Sequence, residues 1–147
     1  MNLAYSVWYM MICSFLVQLI GMSLLMTNNL TNITFNTGKF YISVIMALIM
    51  GLLEVLMNDN YMKTISIEFY FPLFFALCIF IYLYRTQMYI DDKNYLEEMI
   101  EHHSMALLTS EEILQKTNSE RVKRLAENII STQEKEIEYM KELLKYE

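Results

Sequence analysis

The sequence predicts an all-α protein in which about three transmembrane helices precede an antiparallel pair of water-soluble helices. Residues 1–85 hold three basic and three acidic side chains, whereas residues 86–147 hold eight basic and fourteen acidic ones and so carry the whole net charge of −6. Neither Gly nor Pro follows Pro72, so no strong helix breaker interrupts the polar part. The chain therefore divides near residue 85 into a transmembrane region and a soluble domain at 86–147.

Three apolar runs are long enough to be candidate membrane spans, at residues 2–26, 40–57 and 69–84. The first has no ionisable side chain and would extend about 38 Å as a helix. It lacks a basic start and is longer than the apolar core of a signal peptide, so we interpret it as a retained span and not a cleaved leader. The other two are near the short limit for a span. Two spans plus a re-entrant segment is the alternative arrangement.

The predicted spans contain few polar residues, and Glu54 is the acidic one. A carboxylate in lipid is costly, which marks Glu54 as a candidate intramembrane site. The alternative is that Glu54, one helical turn from Asn58, lies at the membrane surface. Cys13 and Cys78 also fall within spans and are interpreted as packing residues.

The soluble domain is predicted to be two helices joined by a tight turn. The first extends from about Asp91, a candidate N-cap, to Lys116, and the second follows Thr117, with Asn118 or Ser119 as its cap. At 100° per residue, each helix has one largely apolar face. These faces consist of Leu96, Met99, His103, Ala106, Ser110 and Leu114 in the first helix, and of Val122, Ala126, Ile129, Gln133, Ile137, Met140 and Leu144 in the second.

Polar residues interrupt both apolar faces near their middle. His103 lies inside the first face with His102 and Met105 on its flank, and antiparallel packing brings them near Gln133 and Glu136. A buried polar group requires a partner, so one interpretation is a His–Glu or His–Gln hydrogen bond that sets the register of the hairpin.

The other interpretation of these residues is a metal site. Thioether and imidazole donors suit copper, Cu(I) in particular, better than iron or magnesium, and the Glu-x-x-His motif of di-iron bundles is absent. Gln133 and Met105 would orient the donors or set the register. The candidate donors are Met99, His102, His103, Glu136 and Met140.

The segments RTQMYIDDKNYLEEMIEHHSMA and LAENIISTQEKEIEYMKELL resemble the domain of unknown function (DUF) 305 family. The family signature is M-I-x-H-H-x-x-A followed by Q-x-x-E-I-x-x-M. The upstream segment FYISVIMALIMGLLEVLMNDNYMK is similar to the membrane-embedded version of the family. Two positions depart from the family pattern, since Glu101 replaces the usual Pro and Thr109 a common Met. The matching residues are Met99, Ile100, His102, His103, Ala106, Gln133, Glu136, Ile137 and Met140.

The resemblance implies a ferritin-like helical fold and, for some extracytoplasmic members, binding of copper or another metal. Because one hairpin is present, the resemblance further implies a homodimer or higher oligomer formed through residues 86–147, in which hairpins pair into a four-helix bundle. It also implies an extracytoplasmic soluble domain.

Composition and motifs exclude several classes of function. No Ser or Cys nucleophile stands beside a base and no Gly-rich phosphate loop occurs, so we expect no enzyme. A soluble domain of charge −6 would repel nucleic acid. The sequence thus predicts a membrane-anchored metal-binding protein, with an assembly protein whose histidines form a polar clasp as the alternative.

Overall fold

The protein is described by a computed structural model that covers residues 2–147. Within those residues every regular element is helical, which confirms the predicted all-α class. A π-helical turn at Val17–Gly21 continues the first helix into the second, and Leu30–Asn32 is a short 3₁₀ turn. The α-helices are α1 (Leu3–Leu16), α2 (Met22–Met26), α3 (Thr37–Met62), α4 (Ile67–Arg85), α5 (Asp92–Leu114) and α6 (Glu120–Leu143).

The chain forms two compact units, each assembled from two separate stretches. The first comprises the chain up to Gly21 together with Thr37–Tyr89, and the second comprises Met22–Asn36 together with Ile90–Glu147. The second unit therefore contains α2 and the connection that follows it as well as the predicted soluble hairpin.

The parts of the chain that are apolar enough to cross a membrane lie in the first unit, except for Met22–Met26, which belongs to the second. Three helical stretches meet that description by length and composition, with 24, 26 and 19 residues at Leu3–Met26, Thr37–Met62 and Ile67–Arg85. The second and third are longer than the runs of 40–57 and 69–84 predicted from composition. The reason is that polar residues such as Asn58 and Asp59 continue α3 by a further turn.

In this unit α3 lies against both α1 and α4. Gly51 permits the close approach of α1, because a Cβ at that position would lie 2.9 Å from Cγ of Met11. On the side of α4, the rings of Tyr41 and Phe80 meet edge to face at 6.1 Å. Small residues and interlocking rings therefore set the helix contacts, as is usual where no water is expelled on packing.

The second unit has α5 and α6 as an antiparallel hairpin around one apolar cluster. Its buried members are Leu96, Ile100, Leu107, Ile137 and Met140. Asp91 caps α5 as predicted, since its carboxylate accepts the backbone N–H of Asn94 at 2.8 Å. Ser119 occupies the N-cap position of α6, although its side chain makes no capping hydrogen bond.

Candidate functional site

His103 and Glu136 are brought together across the α5–α6 seam. Nδ1 of His103 lies 3.2 Å from Oε2 of Glu136, and the two side chains are 16% and 48% exposed, respectively. The separation is that of an ion pair, but the orientation does not satisfy a hydrogen bond, so the buried Nδ1 has no hydrogen-bond partner within residues 2–147. A buried imidazole nitrogen that has no hydrogen-bond partner can take up a proton or coordinate a metal ion.

The remaining predicted donors lie at different depths around this pair. Met140 is buried in the apolar cluster of the hairpin and Met99 packs against that cluster. His102, in contrast, is exposed, because it points away from the seam that His103 faces. Gln133 and Met105 are half-buried, but Met105 lies about 200° around α5 from His103 and so faces away from the seam.

The donor set of one chain is small. Among residues 2–147 no group of three or more His, Cys, Asp or Glu side chains is close enough to hold a metal ion. One imidazole and one carboxylate meet, and the other predicted donors of the hairpin interior are the thioethers of Met99 and Met140. Soft thioethers with an imidazole fit Cu(I) better than Mg²⁺ or Ca²⁺, which require oxygen ligands.

On the other flank of α5, Glu101 and Ser104 hold the connection that follows α2. Glu101 is 5% exposed, and its carboxylate accepts hydrogen bonds from the Ser23 hydroxyl and, at 3.1 Å, from the backbone N–H of Thr34. The Ser104 hydroxyl donates to Oδ1 of Asn28 at 2.7 Å and accepts from Nδ2 of Asn32 at 3.2 Å. The two residues that flank the histidine pair therefore attach α5 to a segment more than sixty positions earlier in the chain.

The same connection also contacts α6, since Nζ of Lys141 donates to Oδ1 of Asn32. We refer to residues 27–36, together with Ser23, as the docked connection. Sequence analysis missed this contact, although two signals pointed to it: Glu101 and Ser104 share a flank three residues apart, and the connection is rich in Asn and Thr.

Glu54, the candidate intramembrane residue, is half-buried and pairs with α1 in the first unit. Its carboxylate accepts a hydrogen bond from the Ser6 hydroxyl. The partner satisfies one carboxylate oxygen, which is the usual condition for a polar group among apolar helices. Cys13 and Cys78 are free thiols in the same unit.

Comparison with known proteins adds two findings. Residues 85–145 match the family described as "Domain of unknown function (DUF305)". The chain is also 33% identical over 135 residues to "Uncharacterized protein L153" of Acanthamoeba polyphaga mimivirus, an alignment that spans 92% of this chain and 88% of the relative. No solved structure matches the chain. With the histidine pair of α5 and Glu136 of α6 inside the matched region, this chain belongs to the DUF305 family.

Proposed function

We propose that the protein is a membrane-anchored metal-binding protein whose hairpin binds copper through His103 and Glu136. The observation that supports this most directly is the buried Nδ1 of His103, which has no hydrogen-bond partner and faces a carboxylate at 3.2 Å. A structural histidine normally satisfies its buried nitrogens, whereas a ligand leaves one lone pair open.

The surrounding residues fit a soft metal ion. Met99 and Met140 are part of the hairpin interior next to this pair, and thioethers are suitable ligands for Cu(I). His103, Glu136 and the two thioethers would hold the ion, and we propose no catalytic step at it.

We further propose that all three apolar helices cross the bilayer. The docked connection precedes α3, and the hairpin that it contacts follows α4, so both must lie on the same side of a membrane. If only one of α3 and α4 crossed the membrane, the docked connection and the hairpin would lie on opposite sides of it. The hydrogen bonds from Thr34 and Asn32 to α5 could then not form. We propose that this side is outside the cytoplasm, as the resemblance to the DUF305 family implies.

A thermal melt of the full chain in detergent tests the metal proposal. Cu(I), Cu(II), Zn(II) or a chelator is added to wild type and to the double variant His102→Ala plus His103→Ala. Cu(I) at a hundred times its dissociation constant should stabilise wild type by about 2.7 kcal/mol. The variant should keep the melting temperature of the metal-free protein and lose the response to copper.

The second candidate function is assembly without metal, with His103 and Glu136 as a polar clasp between α5 and α6. The 3.2 Å separation favours it, since a protonated imidazole would form an ion pair there. In that case the same double variant melts at a lower temperature with or without copper. If no metal changes the melting temperature of the wild type, the metal proposal is contradicted and the assembly function remains.

A further inference from the structure

Each helix of the hairpin has an exposed flank that carries large apolar side chains. On α5 the apolar cluster covers one face and the docked connection covers the flank of Glu101 and Ser104. At 100° per residue, Tyr95, His102 and Ile113 share the remaining flank. All three are exposed, and Tyr95 is more than half exposed.

An equivalent uncovered flank exists on α6. Leu125, Glu136 and Tyr139 share it, and Leu125 and Tyr139 are each more than half exposed. Lys141 contacts the docked connection from the opposite flank of α6. The two uncovered flanks therefore adjoin on the same side of the seam, and we call their six residues the free strip.

The free strip has the composition of a surface that pairs with itself. It joins large apolar side chains to one imidazole and one carboxylate, and a layer of two helices requires a second layer to bury an apolar face of this kind. A two-fold axis parallel to the helices would place α5 of one copy against α6 of the other. The imidazole of each copy would then face the carboxylate of its partner.

The position of the imidazole and the carboxylate along the helix axis follows from the His103–Glu136 pair. His103 and Glu136 lie at the same level in one chain, since their side chains are 3.2 Å apart. His102 is one residue from His103, a rise of about 1.5 Å. Because rotation about an axis parallel to the helices leaves the level unchanged, His102 of one copy arrives beside Glu136 of the other.

We propose that a second copy of this chain packs on the free strip, and that the copper site is shared, with His103, Glu136 and the thioethers of Met99 and Met140 from one copy and His102 from the other. This rests on the proposed function and explains two observations. Within residues 2–147, a single chain lacks a third His, Cys, Asp or Glu donor, and His102 points away from its own seam. Each dimer has two such sites.

Mixed dimers test whether the site is shared. The full-length variants His102→Gln and His103→Gln are produced together with different affinity tags and purified through both tags, so that every dimer contains one of each. Bound Cu(I) is counted without oxygen by competition with bicinchoninic acid. Either variant alone should lose both sites, whereas the mixed dimer should keep one intact site and bind about half as much Cu(I) as wild type.

A mixed dimer that binds no more Cu(I) than its parents would overturn the shared site. Wild type that binds Cu(I) as a monomer, measured by its mass in detergent, would overturn this inference and leave the proposed function standing. Wild type that forms a dimer but binds no Cu(I) would overturn the proposed function and the shared site together.

A matched pair of variants tests whether two copies meet at the free strip. Leu125→Arg places a charge in the free strip and should convert the dimer to a monomer. Ser131→Arg places the same side chain at an exposed position about 120° around α6 from Leu125 and should leave the dimer intact. Equal masses for the two variants would show that copies do not meet at the free strip.

Discussion

At the scale of single residues, sequence neighbours in the segment EHHS have different environments. Glu101 and Ser104 are buried against the docked connection, His103 is half-buried in the seam, and His102 is exposed. A helix turns by 100° per residue, so four consecutive side chains point in four directions. The two histidines therefore cannot act as an equivalent pair of ligands within one chain.

Protonation of Asp91 should change the stability of the hairpin. Hydrogen bonds from Asn94, first from its backbone N–H and then from its side chain, hold the pKa of Asp91 below its ordinary value. A lowered pKa in the folded state means that this stabilisation is complete above about pH 4 and is lost as the pH falls below that value. Acid should therefore weaken the start of α5.

The control is Asp91→Asn, because Asn caps a helix as well as Asp but does not titrate. Melting temperatures of wild type and this variant should agree above pH 5, and wild type should fall below the variant as the pH is lowered toward 2. A difference that is the same at every pH would show that the carboxylate charge does not stabilise the cap.

At the scale of elements, the notable contact is between α5 and the docked connection. By composition the connection is a polar stretch between two predicted spans, yet Thr27, Asn32 and Asn36 are buried. They are buried because hydroxyl, amide and carboxylate groups on both sides satisfy each other. This polar contact holds α5 on the flank opposite the free strip and so leaves His102 uncovered.

Replacing Glu101 by Ala should destabilise this contact strongly. The substitution removes the carboxylate that accepts from the buried Ser23 hydroxyl and from the half-buried Thr34 N–H. We expect a loss of about 3 kcal/mol, which corresponds to on the order of 100-fold faster amide hydrogen exchange in α5. Glu112→Ala, which removes only an exposed pair with Lys116, should cost about 0.5 kcal/mol or less. Equal exchange in both variants would contradict the structural role given to Glu101.

At the scale of the whole molecule, three crossings would place the docked connection and the hairpin on one side and the short link between α3 and α4 on the other. Single cysteines at the exposed positions Asn29, Asn118 and Thr64, in a chain with Cys13 and Cys78 replaced by Ser, test this arrangement. A maleimide that cannot cross membranes should label the first two from one side and Thr64→Cys only from the other.

Labelling of Asn29→Cys and Asn118→Cys from opposite sides would contradict three crossings. Detergent should make all three sites reactive, which shows that each cysteine is accessible once the membrane is removed. The same experiment on oriented vesicles reports which side carries the hairpin.

The sequence by itself determined the helical class, the three apolar stretches and the cap at Asp91, and it predicted that a histidine of α5 lies near Gln133 or Glu136 of α6. Each depends on local composition or on helical periodicity, which are properties of neighbouring residues. Only the tertiary structure decided that Glu101 and Ser104 hold the connection after α2, and that Met22–Asn36 joins the hairpin in one compact unit. Periodicity shows which flank of α5 is polar but not what covers it, because the covering segment lies more than sixty residues away.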